Sequence, residues 1–303
     1  MQFWPRKRAR KILHSVNWKP IKHGDKEGIL GFIGYKVGMA TAVVKDNTDK
    51  SMTKGKKLFI PATILEVPHM KIFSVRFYKY GKVMKEVVVS NDKELKRKLK
   101  VPKELKVGEL DKIKDYDDLR VIVYSVVKQT SVKKTPDLIE LAVVSGDKLG
   151  FVKGLVGKEI SLKDLLKWNL VDVRGLTTGK GLVGPVKRFG IGLKQHKSEK
   201  GVRRPGSLGP WHPARVTFRT PMAGQLGMFS RVHYNLNVLH SGSASENKIN
   251  KKEGFKDYGN VKTNYVVLRG SVQGPTKRQI LVTPAMRPTK KQSKKNFEFL
   301  ELK

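Results

Sequence analysis

Cysteine is absent from this 303-residue chain, which excludes disulfides, thiolate metal sites and cysteine nucleophiles and fits a reducing compartment such as the cytoplasm. Acidic residues are scarce: 26 Asp and Glu stand against 63 Lys and Arg, a formal net charge of +37. Long apolar runs are missing too. None approaches the roughly 18 to 20 residues that span a bilayer. Met1-Gln2-Phe3-Trp4-Pro5, before Arg6-Lys7-Arg8-Ala9-Arg10-Lys11, has no apolar stretch of the kind a secretory signal requires. The expected location is the cytoplasm, with no membrane partner. So basic a balance points to a polyanion, nucleic acid first.

The basic residues are not spread evenly. Residues 179 to 233 carry eleven Lys or Arg, ten Gly and five Pro against one acid, Glu199. Gly and Pro break helices and ladders, like charges repel, and the scattered apolar side chains are too few to offset the entropy of ordering the segment. An outside partner is therefore expected to hold it, and each Lys or Arg that meets a phosphate releases a condensed counterion. Within it lies a lone aromatic step, Leu208-Gly209-Pro210-Trp211-His212-Pro213. A Trp between two prolines suits a stiff probing tip. Its setting of Gly, Pro, His and Arg offers no apolar core to receive it.

Outside this loop the pattern is strand-rich. Residues 1–27 read as a basic extension in which Trp4 and Trp18 interleave with Lys and Arg, an arm that orders on RNA. Strand-like runs follow at Ile29 to Val44 and Leu58 to Val67, of the kind found in barrels and sandwiches. In Lys71 to Tyr78, Phe73, Val75 and Phe77 fall on one face and Ser74 and Arg76 on the other. Asn91 with Glu94 reads as a capping pair for a short helix in which Leu95 and Leu99 share a face and which Pro102 closes. A weaker helical piece contains Leu105, Leu110 and Ile113. Strands at Val121 to Val127 and Leu138 to Val144 complete a mixed α/β insertion over about residues 80–170. A helix is expected at Ser161, with Asp164 three positions on and Leu162, Leu165 and Leu166 apolar, and Trp168 reads as a packing residue. Strand patterns return at His233 to Leu239, Val261 to Arg269 and Arg278 to Val282, so the loop, set at 179–232, interrupts one domain formed by 28–178 and 233–286. Residues 287–303 read as a basic tail. The fold class expected is mainly β with an α+β insertion.

Motifs that imitate catalytic sites fail on context. Gly179-Lys180-Gly181-Leu182-Val183-Gly184 matches GxGxxG, but the dinucleotide version must open a helix, and Pro185, Gly190 and Gly192 argue against a regular helix with an apolar face. Gly175 to Gly181 is one residue short of a nucleotide phosphate loop and has Gly181 where that loop needs Ser or Thr. Its backbone N–H groups can still cradle RNA phosphates. The histidines, His14, His23, His69, His196, His212, His233 and His240, show no metal spacing. No serine sits in a nucleophile elbow. No enzyme, metal, cofactor or small-molecule substrate is expected, and any structural Mg²⁺ would belong to the RNA.

Several segments, in order, resemble one family. Pro5-Arg6-Lys7-Arg8-Ala9, Leu30-Gly31-Phe32 with Gly34-Tyr35-Lys36-Val37-Gly38-Met39, and Thr178-Gly179-Lys180-Gly181 with Gly184-Pro185-Val186-Lys187-Arg188 resemble the universal large-subunit ribosomal protein L three family in its archaeal and eukaryotic branch. Gly209 to Val216, Ala223-Gly224-Gln225 with Gly227, Gly254-Phe255 with Tyr258-Gly259, and Leu268 to Val272 with Gly274-Pro275 and Lys277-Arg278 follow in the family's order. The resemblance covers both ends and the loop, while residues 80 to 170 match only in general pattern. Met228-Phe229 depart from the residues the family often has there.

The resemblance implies a six-stranded β-barrel of the translation-protein kind, a loop and an N-terminal extension that run into large-subunit rRNA, and neighbouring ribosomal proteins as further partners. It brings the tip, Gly209, Pro210, Trp211, His212 and Pro213 with Gln225, near the peptidyl transferase centre and the aminoacyl-tRNA site. The rRNA-binding candidates are Arg6, Lys7, Arg8, Arg10, Lys11, Lys36, Lys180, Lys187, Arg188, Lys194, Lys197, Arg203, Arg204, Arg215, Arg219, Arg231, Lys277 and Arg278. Cations of this kind neutralise phosphates, and Arg adds bidentate contacts and stacking. Gly179, Gly181, Gly184 and Gly209 would let the backbone come close to RNA. Two other readings remain open on the residues alone: a free rRNA-modifying or processing enzyme whose loop binds substrate, and a nucleic-acid-compacting protein.

Overall fold

The computed structural model describes residues 3–21, 27–113, 115–247 and 249–303, so Met1, Gln2 and His23 lie outside the described residues. In chain order the strands are β1 (Gly28–Ile29), β2 (Phe32–Asp46), β3 (Lys57–Val67), β4 (Met70–Lys79), β5 (Lys82–Val88), β6 (Asp118–Ser125) and β7 (Leu138–Val144). There follow β8 (Leu170–Leu176), β9 (Leu182–Val183), β10 (Gly224–Gln225), β11 (Ser230–Ser243), β12 (Asn264–Arg269), β13 (Gln279–Pro284) and β14 (Phe297–Leu302). Helices are short: α1 (Glu109–Lys112), α2 (Lys148–Leu155), α3 (Leu162–Leu165), α4 (Pro185–Phe189) and α5 (Lys290–Ser293). The chain is mainly β. It divides into two compact units, one of Met1–Ile12 with Leu176–Arg231, the other of Leu13–Gly175 with Val232–Lys303.

The larger unit is built on β-sheets. One sheet runs β1-β7-β6-β4-β5; another runs β13-β8-β11-β12-β3-β2-β14, and β13 also pairs with β2. That last pairing, Leu281 opposite Ile33 and Val282 opposite Phe32, joins six strands in a closed cycle, leaving β14 attached to β2 outside it. Closure removes the unpaired backbone groups that an open edge leaves. The apolar runs read from the sequence supply the core: Phe32, Ile33, Leu65, Val173, Val266, Leu268 and Leu281 pack in one cluster with Ile72, Val75, Phe77, Leu119 and Leu141 of the other sheet.

Three buried polar groups add ties between segments far apart in sequence. Tyr35 donates its hydroxyl to Asp137 Oδ2 at 2.6 Å and lies 2.8 Å from Ser125 Oγ, joining β2 to the insertion. Burial first, and then the Asp137 charge, raise the Tyr35 pKa well above its ordinary value. Glu66, fully buried in β3, accepts from Tyr258 Oη, from Lys262 N at 2.8 Å and from Thr263 N at 2.9 Å. Asp172, fully buried in β8, accepts from Asn235 N and Met286 N, each at 2.9 Å. A buried carboxylate is tolerated when donors surround it in this way.

Several expectations need correction. Trp18 and Ile21 are 5% and 4% exposed and join the main core, so the extension does not run free to residue 27 and Trp18 offers RNA no stacking face. Residues 297–302 are not tail but strand, with Phe297 opposite Asp46 and Leu302 opposite Ala42. The alternation in β4 is broken by a register shift between Ile72 and Ser74. Phe73 accordingly packs with Leu95 and Tyr124, apart from Val75 and Phe77. Leu95–Arg97 is a 3₁₀ turn with no side-chain cap, and Leu99 is exposed. The Asn91 amide instead donates to the Lys103 carbonyl at 3.5 Å. At α3 the capping box forms, with Asp164 Oδ2 accepting from Ser161 N at 3.1 Å.

Two stability predictions follow from buried groups. Replacing Tyr258 by Phe strips a charged acceptor of a donor and should cost about 2 kcal/mol in urea unfolding; an unchanged midpoint would remove Glu66 as a tie. His240 stacks on Phe299 at 4.6 Å and its Nε2 lies 3.1 Å from Tyr265 Oη. Burial lowers the His240 pKa below 6.5, so its neutral form is favoured in the fold and its contribution is lost as pH falls from the unfolded value through the folded one. The loss of stability between pH 7.5 and 5 should be smaller in His240→Gln, measured by urea unfolding at both pH values.

Candidate nucleic-acid interface

The smaller unit contains the basic loop, and its neck is a narrow antiparallel strip. Val183 lies opposite Gly224 and Leu182 opposite Gln225, while Lys180 N donates to Leu226 O at 3.0 Å and Thr177 N to Phe229 O at 3.0 Å. Pro185 does not prevent a helix here. It takes the first position of α4, where its missing N–H has no intrahelical role, and the helix stops at Gly190.

Arg188, expected to meet phosphate, spends its guanidinium inside the protein. It donates to Gln225 O at 3.1 Å, Met222 O at 3.0 Å, Ala223 O at 3.4 Å and Arg6 O at 3.4 Å. Arg6 answers by donating from Nη1 to Arg188 O at 2.5 Å, with its guanidinium 4.4 Å above the Phe189 ring. Burial and then the Arg6 charge lower the Arg188 pKa, and the ring of carbonyl oxygens offsets the cost of setting two cations side by side.

The clamp explains one glycine of the neck, and the facing backbone explains another. A Cβ on Gly224 would stand 2.8 Å from Arg188 Cζ, and one on Gly227 would overlap the Thr178 carbonyl oxygen and stand 2.9 Å from Gly179 Cα. Both have positive φ, +159° and +76°, which a side chain resists.

The N-terminal arm is part of the same assembly, a grouping the sequence reading missed. Trp4 lies between Phe189 and Phe218, with ring centroids at 6.0 and 5.9 Å. Arg231 covers Phe3 at 4.3 Å, and Ala9 N donates to Met228 O at 2.9 Å. Phe189 and Phe218, each next to an arginine in the sequence, were the available signal.

Beyond the neck the loop is open. Lys180, Lys187, Lys194, Lys197, Arg203, Arg204, Arg215 and Arg219 are exposed, as are Lys7, Arg8, Arg10 and Lys11 of the arm. None of the eight loop cations forms a salt bridge with a described carboxylate. Trp211 is 88% exposed, flanked by exposed Gly209, Pro210, His212 and Pro213. Gln225 does not share that setting: it is half-buried at the neck, its Nε2 donating to Leu226 O at 3.1 Å and Gly227 O at 3.2 Å. Three further candidates lie in the larger unit. Lys36 donates from Nζ to Val272 O at 2.6 Å and Gly274 O at 2.9 Å, and burial lowers its pKa. Lys277 is exposed with φ +66°, and Arg278 is half-buried.

A sequence model of the family described as ribosomal protein L3 matches residues 1–104 and 83–303. The chain belongs to the ribosomal protein L3 family. It is 40% identical over 305 residues to the large ribosomal subunit protein uL3 of Methanococcus vannielii, covering 95% of this chain and 90% of that one. The protein of the same name from Methanocaldococcus jannaschii is 39% identical with the same coverage, and that from Methanosphaera stadtmanae is 39% identical over 96% and 91% of the two chains. Among the described residues of this L3-family chain no helix is long and apolar enough to cross a membrane.

If Arg188 is the clamp, Arg188→Ala should raise hydrogen exchange at the backbone amides of Leu226 and Gly190 roughly tenfold or more while the global urea midpoint stays within experimental error. Arg188→Lys should rescue little, because one ammonium cannot span four carbonyls. Unchanged exchange in both variants would refute the clamp.

Proposed function

We propose that this chain is a structural constituent of the large ribosomal subunit, as its uL3 relatives are named, and that it binds large-subunit rRNA. The observation that carries this reading is a loop with eight exposed cations unpaired with a described carboxylate, while its neck is closed by internal hydrogen bonds. Such a loop is built before it meets its partner, so less ordering entropy is lost on binding. The exposed cations would neutralise phosphates, and Trp211 would stack on or wedge against RNA near the peptidyl transferase centre and the aminoacyl-tRNA site. Arg188 and Lys36 act here as organisers, since their donors already have carbonyl partners.

The closed cycle of six strands supports a translation-protein-type barrel. The protein supplies no catalytic group of its own; the RNA performs the chemistry, holds any Mg²⁺, and places the protein in the cytoplasm with neighbouring ribosomal proteins.

Gradient sedimentation of lysate, a high-salt wash of the large particles and mass spectrometry should find this chain retained at about one copy per particle, since binding by surface charge alone weakens steeply with salt. Recovery only in the free pool would overturn the reading and bring forward an rRNA-processing or nucleic-acid-compacting role. In retained particles, Trp211→Ala should alter aminoacyl-tRNA binding or drug response without releasing the protein.

A further inference from the structure

A cavity of about 300 Å³ opens on the larger unit, lined by Trp168, Asn169 and Leu170 at the entry to β8 and by Pro284, Pro288 and Ser293 from the end of β13 onward. Its wall is held in place. Asn235 Nδ2 donates to Arg287 O at 2.9 Å, Asn237 Nδ2 to Gln292 O at 3.4 Å, and Ala285 N to Leu170 O at 3.3 Å. The segment read as a basic tail is thus partly a fixed wall.

Three features of this place call for a ligand. The Trp168 ring packs against the main core on one part and lines the cavity with another, yet its indole N–H is buried with no acceptor among the described residues. An unsatisfied donor is uncommon in a folded protein, and an indole nitrogen can only donate. Asn169 is exposed, and its side-chain amide makes no hydrogen bond among the described residues. Residues 284–295 carry five basic side chains, Arg287, Lys290, Lys291, Lys294 and Lys295, and no acid. Burial, and then the charges of Arg269 and Lys291, lower the Lys295 pKa, with Asp46 acting the other way.

Resting on the RNA-binding reading above, we infer that this cavity is a nucleotide subsite: an unpaired RNA base enters against the Trp168 ring, and its flanking phosphates meet Arg287, Lys290 and Lys291. A base carbonyl or ring nitrogen accepts the indole N–H after a small opening of the rim, and the Asn169 amide contacts the base edge. The size suits one flat ring better than a helix or strand of a partner protein, and the segment that supplies Pro284, Pro288 and Ser293 to the wall has the sign of charge that a phosphate backbone requires.

The test is ultraviolet crosslinking of the full chain to deproteinised large-subunit rRNA, with nucleotide-bearing peptides identified by mass spectrometry, beside affinity measurements at fixed salt. Ser293→Trp fills the cavity from its exposed rim, so it leaves the core alone, and Trp168→Phe keeps the ring and removes the N–H. Support requires a nucleotide adduct on the peptide containing Trp168 that disappears in Ser293→Trp while loop adducts persist, with affinity falling roughly tenfold, the scale of one base stacked on an aromatic ring. Loop adducts with no Trp168 adduct and unchanged Ser293→Trp affinity would overturn the subsite and leave the RNA-binding function standing. An adduct that survives Ser293→Trp would put the base outside the cavity, also against the inference. Absence of RNA binding altogether would overturn the function itself.

Discussion

Strand β2 is the constraint on which the rest of the fold depends. Its fifteen residues pair with β3 along most of their length, with β13 at Phe32 to Tyr35 and with β14 at Ala42 to Asp46. At its C-terminal end the strand has ladder partners on both edges, β3 and β14, while Phe32 to Gly34 pair with β13; groups paired in this way are satisfied without water. From it, Tyr35 reaches Asp137 and Ser125 beside the second sheet, and Lys36 reaches the carbonyls of Val272 and Gly274 in the turn before β13. One strand therefore closes the cycle, holds the insertion and shapes a distant turn.

The two units solve the problem of excess positive charge in different ways. In the larger unit, some cations are matched locally: Glu140 accepts from both Arg76 and Arg120, at 2.9 and 3.0 Å, where those two arginines stand opposite one another on neighbouring strands. In the smaller unit the one described carboxylate, Glu199, is exposed and forms no ion pair among the described residues, and the half-buried Arg6 and Arg188 are held by carbonyl oxygens and aromatic faces. Those that remain outside are left for an external anion. Gly224 is where the clamp, and Gly227 where the facing backbone at Thr178 and Gly179, leaves no room for a side chain.

The same logic separates residues of one chemical type. Arg188 and Arg203 look alike in the sequence, each in a basic Gly- and Pro-rich stretch, yet one is consumed by the neck and the other is open to solvent. Trp18, Trp168 and Trp211 show the same divergence: buried core, cavity lining and exposed tip. Composition around Trp211 was enough to foresee its exposure, because its Gly, Pro, His and Arg neighbours offered no apolar core. Around Trp18 the basic neighbours misled, since the residues that bury it come from elsewhere in the chain.

Local rules of the chain determined what depends on near neighbours: most of the strands, the capped helix at Ser161, the absence of thiol chemistry, and a loop too basic and too poor in apolar residues to form a core. Tertiary structure alone decided what depends on partners far apart in sequence. It set the bulge that turns Phe73 away from Val75 and Phe77, the docking of residues 297–302 on β2, and the joining of the N-terminal arm to the loop through Arg6, Arg188 and Trp4. A period or a cap is written within a few residues, whereas a register shift, an edge pairing or a shared carbonyl cluster exists only when two distant segments meet.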